Sequence, residues 1–450
     1  MAPRLACLLA APPAAPGRLW LTNAALFDGT GAALRRDAAV LVEDGTIARV
    51  TDASDPPPDR ARVVDLEGRS LLPGLIDAHA HAYAHTPEPA HGAEAILPGT
   101  RAHFLAAHLG AALRMGVTTM RDVGSYGDVV VEARQAMRYG AFRGPRLLTC
   151  GRIVAATSPG GRFFPGMYRE ADGVDDVRRA VREQLRRGAD FIKVMTTGAR
   201  SVELEDPGPA QMTGEEIGTA VEEAHRLGYR VAAHAEGIDG TELAIAAGVD
   251  TIEHGMYLNQ RPDLLERMAA NGQVLVPTLG SLYGMAGIEG DGGGRATDAA
   301  PADRRPETWS PLLVDLAAHN VEQADRTLRA ARAAGVRIAA GHDWWPLSGL
   351  ASEILRMVHH GLTVEEGLIA ATRTAAQALG LGDHVGTIQT GKLADLLVVD
   401  GDPLREPAQL RDPARIWLVL QLGQPVAGAA LENDPTGLAA APATQPGVGT

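Results

Sequence analysis

Residues 175–195 read DDVRRAVREQLRRGADFIKVM, and this stretch decides the fold. It opens as a helix-like run rich in Arg and Ala. It ends in FIKVM (191–195), an apolar run with a strand-like pattern. A charged side chain inside such a run is costly unless it is paired or neutralised. Lys193 is that side chain, and among 42 basic residues only Lys193 and Lys392 are lysines. Unlike arginine, lysine can lose its proton and act as a nucleophile. Three roles suit a neutral amine there: addition to CO2 to give a carbamate that bridges two metal ions, a Schiff base, or a partner in a buried ion pair. Lys392 lies in TGKLAD, a turn, and reads as a solvated surface residue.

The same alternation recurs along the chain. GEEIGTAVEEAHRLG (214–228) is helix-like and precedes YRVAAHAE (229–236), which carries His234. His254 follows the run in VDTIEHG (249–255), and Asp343 closes VRIAAGHD (336–343). His79 and His81 form a His-x-His pair in LLPGLIDAHAH (71–81). In a strand, residues i and i+2 point to the same side, so both imidazoles face one way. Strand–helix alternation predicts βα units and a parallel sheet. Eight candidate strands lie near 74–80, 117–123, 146–152, 190–196, 229–235, 249–254, 273–278 and 336–342. Metal-ligand residue types gathered at the carboxyl ends of parallel strands predict an α/β fold, a (β/α)8 TIM barrel, whose active site occupies that face. A lone buried histidine is usually a satisfied core residue. A His-x-His pair with three further strand-end ligands in register is hard to explain that way.

The chain resembles the amidohydrolase superfamily over roughly residues 18–428. The resemblance rests on PGLIDAHAH (73–81), GVTTMRDVG (116–124), FIKVMTTGA (191–199), VAAHAEG (231–237), GVDTIEHG (248–255), VPTL (276–279), the Asp343 strand end and VGTIQTGKLADLLVVDGDP (385–403). It is similar to the branch that includes Xaa-Pro and Xaa-Arg/Lys dipeptidases, ochratoxinase-like amidases and, more distantly, imidazolonepropionases. The resemblance implies that His79, His81 and Asp343 bind one metal and that His234 and His254 bind a second. Carboxylated Lys193 (N6-carboxylysine) and a hydroxide would bridge them. Two Zn2+ ions per chain are expected, since zinc favours nitrogen and oxygen donors like these. The bridging hydroxide would attack a peptide-like amide carbonyl, with Asp343 as general base and then general acid. Imidazolonepropionases lack the lysine and use one metal, so Lys193 favours the two-metal branch.

Three positions depart from the family pattern. Arg162 stands in SPGGRFFPG (158–166) where a histidine is common, Glu236 replaces a second histidine after strand 5, and His342 replaces the threonine of the usual Gly-Thr-Asp. None touches an expected ligand, and all fall where substrate contacts would be. Arg162 is the candidate to grip a terminal carboxylate, since Arg can do so bidentately; the bland reading is a surface arginine. Trp344 and Trp345 are candidates for an apolar wall or for rim packing, with Tyr168, Tyr257 and Tyr283 as weaker candidates for the same wall.

Both ends read as β-rich and are expected to join. Residues 1–17 read as a ragged terminus, 18–72 as the first part of a β-sandwich, 73–384 as the barrel, 385–430 as the second part, and 431–450 as a disordered tail. Residues 283–306 read as a lid or a disordered surface insertion. A net charge of −13, with arginines scattered among acids, argues against a nucleic-acid partner. Cys7 and Cys150 give no disulfide framework. No apolar stretch reaches membrane-spanning length, so no membrane partner is expected. The start, MAPRLACLLAAPPAAPG, resembles a signal peptide with an apolar core at the short limit, so a cytoplasmic location is expected. The resemblance implies a homo-oligomer acting on a small-molecule or peptide substrate. The leading reading is a zinc-dependent amidohydrolase or peptidase that cleaves a C–N bond in a peptide or N-acyl amino acid. Its rivals are a hydrolase that trims a modified ribosomal peptide natural product, a mononuclear cyclic amidohydrolase or deaminase, and a non-enzymatic scaffold.

Overall fold

The structure, a computed structural model, describes residues 17–82, 96–288, 309–343 and 349–433. Both ends of the described chain meet in one eight-stranded sheet. Its strands are β1 (Arg18–Leu26), β2 (Arg35–Glu43), β3 (Thr46–Asp52), β4 (Arg62–Asp65), β5 (Ser70–Pro73), β16 (Leu396–Val399), β17 (Ile416–Gln421) and β18 (Gln424–Ala427). They run in the order β18-β17-β16-β5-β1-β2-β3, with β4 also on β1. The apolar residues alternate along the central strands, so the sheet is buried on two faces. Leu71, Leu396, Val398, Leu418 and Leu420 pack on one face with Leu19 and Leu21. Leu72, Leu397, Val399 and Val419 face the main core on the other.

The middle of the chain supplies β6 (Leu75–Ala80), β7 (Val117–Asp122), β8 (Arg146–Thr149), β9 (Ile153–Ala155), β10 (Tyr168–Glu170), β11 (Ile192–Met195), β12 (Val231–Ala235), β13 (Thr251–His254), β14 (Val274–Val276) and β15 (Arg337–Ile338). All ladders between them are parallel. β6-β7-β8 form one arc and β10-β9-β11-β12-β13-β14-β15 a second. Helices join successive strands, as the alternation predicts. The helix Val174–Arg186 before β11 buries Val177, Ala180, Val181 and Gln184, an i, i+3, i+4, i+7 stripe. The helix Gly214–Arg226 before β12 begins in a capping box between Thr213 and Glu216.

The ladders do not close into one ring. Isolated hydrogen bonds span the gaps: Asp190 N donates to Thr149 O at 2.7 Å, and Ala78 N donates to Ala340 O at 2.9 Å and Asp343 N to His79 O at 3.0 Å. The eighth run, expected over 336–342, pairs as a ladder only at Arg337–Ile338. Beyond it the Asp77 carboxylate takes the N–H of His342 at 3.2 Å, so a side chain replaces a strand partner there. The third run, expected over 146–152, stops at Thr149. Gly151 (φ 68°) turns the chain, and β9 follows as a separate strand. The terminal sheet is fixed to the base of the arcs. Arg146 pairs with Asp395 in a buried contact, and Gly74 N donates to Asp395 O at 2.9 Å. Gly74 is obligatory in kind: a Cβ there would lie 2.3 Å from Thr118 Oγ1. Of the expected ragged terminus 1–17 and disordered tail 431–450, residues 1–16 and 434–450 lie outside the described residues, as does all but the start of the expected lid. The start of the tail is not disordered but closes the helix Ala429–Asn433, where Leu431 packs on the core of the terminal sheet.

Candidate metal centre

The carboxyl ends of β6, β11, β12, β13 and β15 converge on the six residues singled out from sequence. His79, Lys193, His234 and His254 are buried, and His81 and Asp343 are partly open. His79 Nε2 and His81 Nε2 lie 3.6 and 3.5 Å from Asp343 Oδ1. Ring centroids are 5.5 Å apart for His79 and His81, 5.1 Å for His79 and His254, and 4.6 Å for His234 and His254. The ligand atoms of His79, His254 and Asp343 lie within 4.8 Å of one another, as do those of His234, Glu236 and His254.

Each imidazole is pinned through one ring nitrogen. His79 Nδ1 meets Glu253 Oε2 at 2.7 Å, and His81 Nδ1 meets Gly124 O at 2.6 Å. His234 Nε2 meets Gly198 O at 3.1 Å, and His254 Nδ1 meets Thr278 Oγ1 at 2.6 Å. A carboxylate or carbonyl can only accept, so the pinned nitrogens of His79, His81 and His234 carry the proton. Their other nitrogens are left as lone pairs, the state in which histidine binds metal. Burial, helped by the nearby charge of Lys193, holds His79 and His234 well below the usual imidazole range; burial and His234 do the same for His254. Neutral imidazoles in a cluster, joined by a carboxylate, form a donor set that fits divalent metal ions.

The backbone is unusual at the same rim. His254, Thr278 and Asp343 have φ of 69°, 49° and 47°. These side chains are β-branched, bulky or charged, and the left-handed region costs them of order 1–3 kcal/mol each. His254 pairs in register with Ala235 although His234 is the ligand type on β12. The left-handed turn at its α-carbon re-aims its ring from the alternation a strand would impose.

Beneath the rim lies a buried polar layer. Arg121 Nη2 meets Glu253 Oε1 at 2.8 Å, its Nε donates to Ala78 O at 2.5 Å, and its Nη1 donates to Thr251 Oγ1 at 3.1 Å. Lys193 shares this interior. Burial pushes its amine down to about 8, with Glu253 opposing and Arg121 assisting. Sequence reasoning missed Arg121 and Glu253, although each is a charge inside a strand run, the same signal that singled out Lys193.

The expected substrate contacts are scattered. Arg162 is exposed on the short helix Pro159–Phe163. Tyr168 is buried on β10. Tyr257 is half-buried and donates to Asn320 Oδ1 at 2.5 Å. Tyr283 is buried with its hydroxyl 2.8 Å from His360 Nε2. Trp344 and Trp345 lie outside the described residues. The rim instead joins Glu236, one of the three departures noted in the sequence, to Arg200, which follows β11 and which sequence reasoning missed. Burial raises Glu236 to about 7, with Arg200 opposing. Farther back, Glu353 accepts the N–H groups of Leu279 and Gly280 at 2.8 and 2.7 Å, holding the helix that follows Thr278. Among the described residues no helix is long and apolar enough to cross a membrane.

The amidohydrolase family matches residues 70–426. The ochratoxinase of Aspergillus niger is 30% identical over 427 residues, covering 89% of this chain and 84% of that protein. The solved structure of A. niger ochratoxinase superposes with a TM-score of 0.80 at 27% identity, over 92% of this chain and 96% of that one. A Xaa-Pro dipeptidase with methionine bound in its active site superposes with a TM-score of 0.77 at 27% identity, over 92% of this chain and 100% of that one.

Proposed function

This chain belongs to the amidohydrolase family, and from that premise we propose that it hydrolyses a peptide-like C–N bond in a peptide or N-acyl amino acid. The observation that carries this reading is the set of four imidazoles, each pinned on one nitrogen, gathered with Asp343 above a buried lysine. The two similar proteins named as an ochratoxinase and a Xaa-Pro dipeptidase support it. In this reading the two parallel arcs are the halves of a (β/α)8 barrel over 73–384, and the terminal sheet is a β-sandwich of 18–72 with 385–430. A homo-oligomer in the cytoplasm completes the reading.

His79, His81 and Asp343 would hold one metal and His234 and His254 a second, with Lys193 between them as its carbamate. Two divalent ions, zinc first among the candidates, supply Lewis acidity when bound: they lower the pKa of water and polarise a carbonyl. The protein's own groups do the rest. Burial makes the Lys193 amine neutral over more of the pH range, so it adds to CO2 and releases a proton, leaving a carboxylate on its nitrogen. Glu253, Gly124 O, Gly198 O and Thr278 keep the four rings aimed. Asp343 accepts the proton of the attacking water and returns it to the departing nitrogen, a role typically worth about 10²–10⁴ in rate.

The test is metal content per chain, by elemental mass spectrometry, on wild type and Lys193→Ala, beside hydrolysis of Xaa-Pro, Xaa-Arg and N-acyl amino acid substrates. Two equivalents that fall to one or fewer in the variant, with amide turnover in wild type, are expected. One equivalent untouched by the substitution would return Lys193 to a structural role.

A further inference from the structure

Arg200 is a cation at this rim, held by neighbours and still incomplete. Only 4% of its side chain is exposed. Its Nη1 meets Glu236 Oε1 at 2.5 Å, and its backbone N donates to Glu236 Oε2 at 3.2 Å. Its Nη2 donates to Ser281 Oγ at 2.6 Å, and Ser281 Oγ in turn donates to Thr278 O at 2.9 Å. Two chain segments, at Glu236 and at Ser281, therefore hold the guanidinium. Its buried Nε has no partner.

The remaining capacity is donor-only. Both Glu236 oxygens are occupied, and a guanidinium has no acceptor atom. Glu205, a carboxylate on the segment that carries Arg200, is engaged elsewhere: it accepts from Gly160 N at 2.7 Å and Ala199 N at 2.9 Å. What is left is the Nε–H, with Nη2, which has two N–H groups and one recorded acceptor, beside it. Two parallel donors on one guanidinium edge match the two oxygens of a carboxylate. The position is within the site, since Glu236 Oε1 lies 3.6 Å from His234 Nε2.

We propose that Arg200 determines specificity by binding a carboxylate on the substrate, with Glu236 and Ser281 as its positioning residues. Resting on the hydrolytic reading above, this makes the preferred substrate an N-acyl amino acid or short peptide with a free carboxylate next to the scissile bond. Arg162, exposed on its helix, is not the group that grips it.

The test compares N-acetyl-L-phenylalanine, N-acetyl-L-proline and N-acetyl-L-arginine with their carboxamides, by kcat/KM and by calorimetric binding to the metal-loaded enzyme. Arg200→Gln alone would strand the Glu236 charge, so the deciding variant is Arg200→Gln with Glu236→Gln, which keeps the shape and removes both charges. Wild type is expected to prefer at least one acid over its amide by roughly 10²-fold, the worth of a charged hydrogen-bonded pair. In the double variant that ratio falls near one while metal content holds. A ratio unchanged in the variant, a wild type indifferent to the carboxylate, or loss of metal from the variant each overturns the assignment, and amide turnover in wild type still stands. If wild type hydrolyses neither member, the hydrolytic reading falls and binding decides alone. Acid-selective binding lost in the double variant supports Arg200, and no acid-selective binding overturns it.

Discussion

Two buried arginine–carboxylate pairs use the same chemistry for different ends. Arg121–Glu253 crosses the interior below the rim, and its carboxylate also holds His79. Arg146–Asp395 lies at the base, where Asp395 also accepts Leu422 N at 2.8 Å and Arg146 Nη1 donates to Thr119 Oγ1 at 3.1 Å. The first pair is linked to the metal-ligand set by one hydrogen bond. The second ties β8 to the terminal sheet and touches no candidate ligand. Burial and ion pairing are thus poor guides to role by themselves. What separates the two pairs is the next group each carboxylate touches.

The difference can be broken from the base first. Asp395→Ala leaves Arg146 charged, buried and unpaired, and should lower unfolding free energy by about 3–5 kcal/mol. Denaturant titration reads that loss, while kcat per metal-loaded molecule holds. A large fall in kcat at full folding would erase the distinction. The counterpart, Glu253→Gln, should act the other way round. Metal affinity measured by equilibrium dialysis should drop about 10–100-fold, as when a partner behind a liganding histidine is removed. Unchanged affinity would show that His79 needs no carboxylate behind it.

The smallest expected effect concerns a third buried carboxylate. Burial raises Glu353 from 4.5 to about 8. Between those values the folded chain keeps a proton that the unfolded chain has released. Its contribution to stability is full below 4.5 and is lost as pH climbs through about 8. Glu353→Gln cannot titrate, so it should flatten the pH dependence of Tm across that window. Parallel curves for the two proteins would assign the dependence to other groups.

The candidate ligands could be picked from sequence for a local reason. His79 and His81 are two residues apart, His234, His254 and Asp343 each follow an apolar run, and Lys193 is a charge inside one, so strand period and strand ends mark them. Each of the eight expected runs holds a strand, but all are shorter than expected, the eighth most of all at Arg337–Ile338, and β9 and β10 fall outside the expected set. What sequence hid is pairing across distance. Arg121 and Glu253, Arg200 and Ser281, and Arg146 and Asp395 lie far apart in the chain and leave no periodic trace. A loop arginine in a glycine-rich stretch, Arg162, looked better placed for a ligand than Arg200, because nothing local marks which of two arginines the fold will bury. Positive φ at His254 and Asp343 was equally silent, since glycine is the residue that normally announces it.

Those left-handed residues bear on how the chain would change under selection. At His254, Thr278 and Asp343 the backbone would be easier as glycine, and each side chain is retained at a standing cost in conformational energy. A lineage screened only for heat resistance should therefore gain by substituting these positions, and would lose its chemistry in doing so. Fitness for folding and fitness for turnover pull against each other at three consecutive strand ends. Stabilising libraries for this scaffold should hold those residues fixed and search elsewhere.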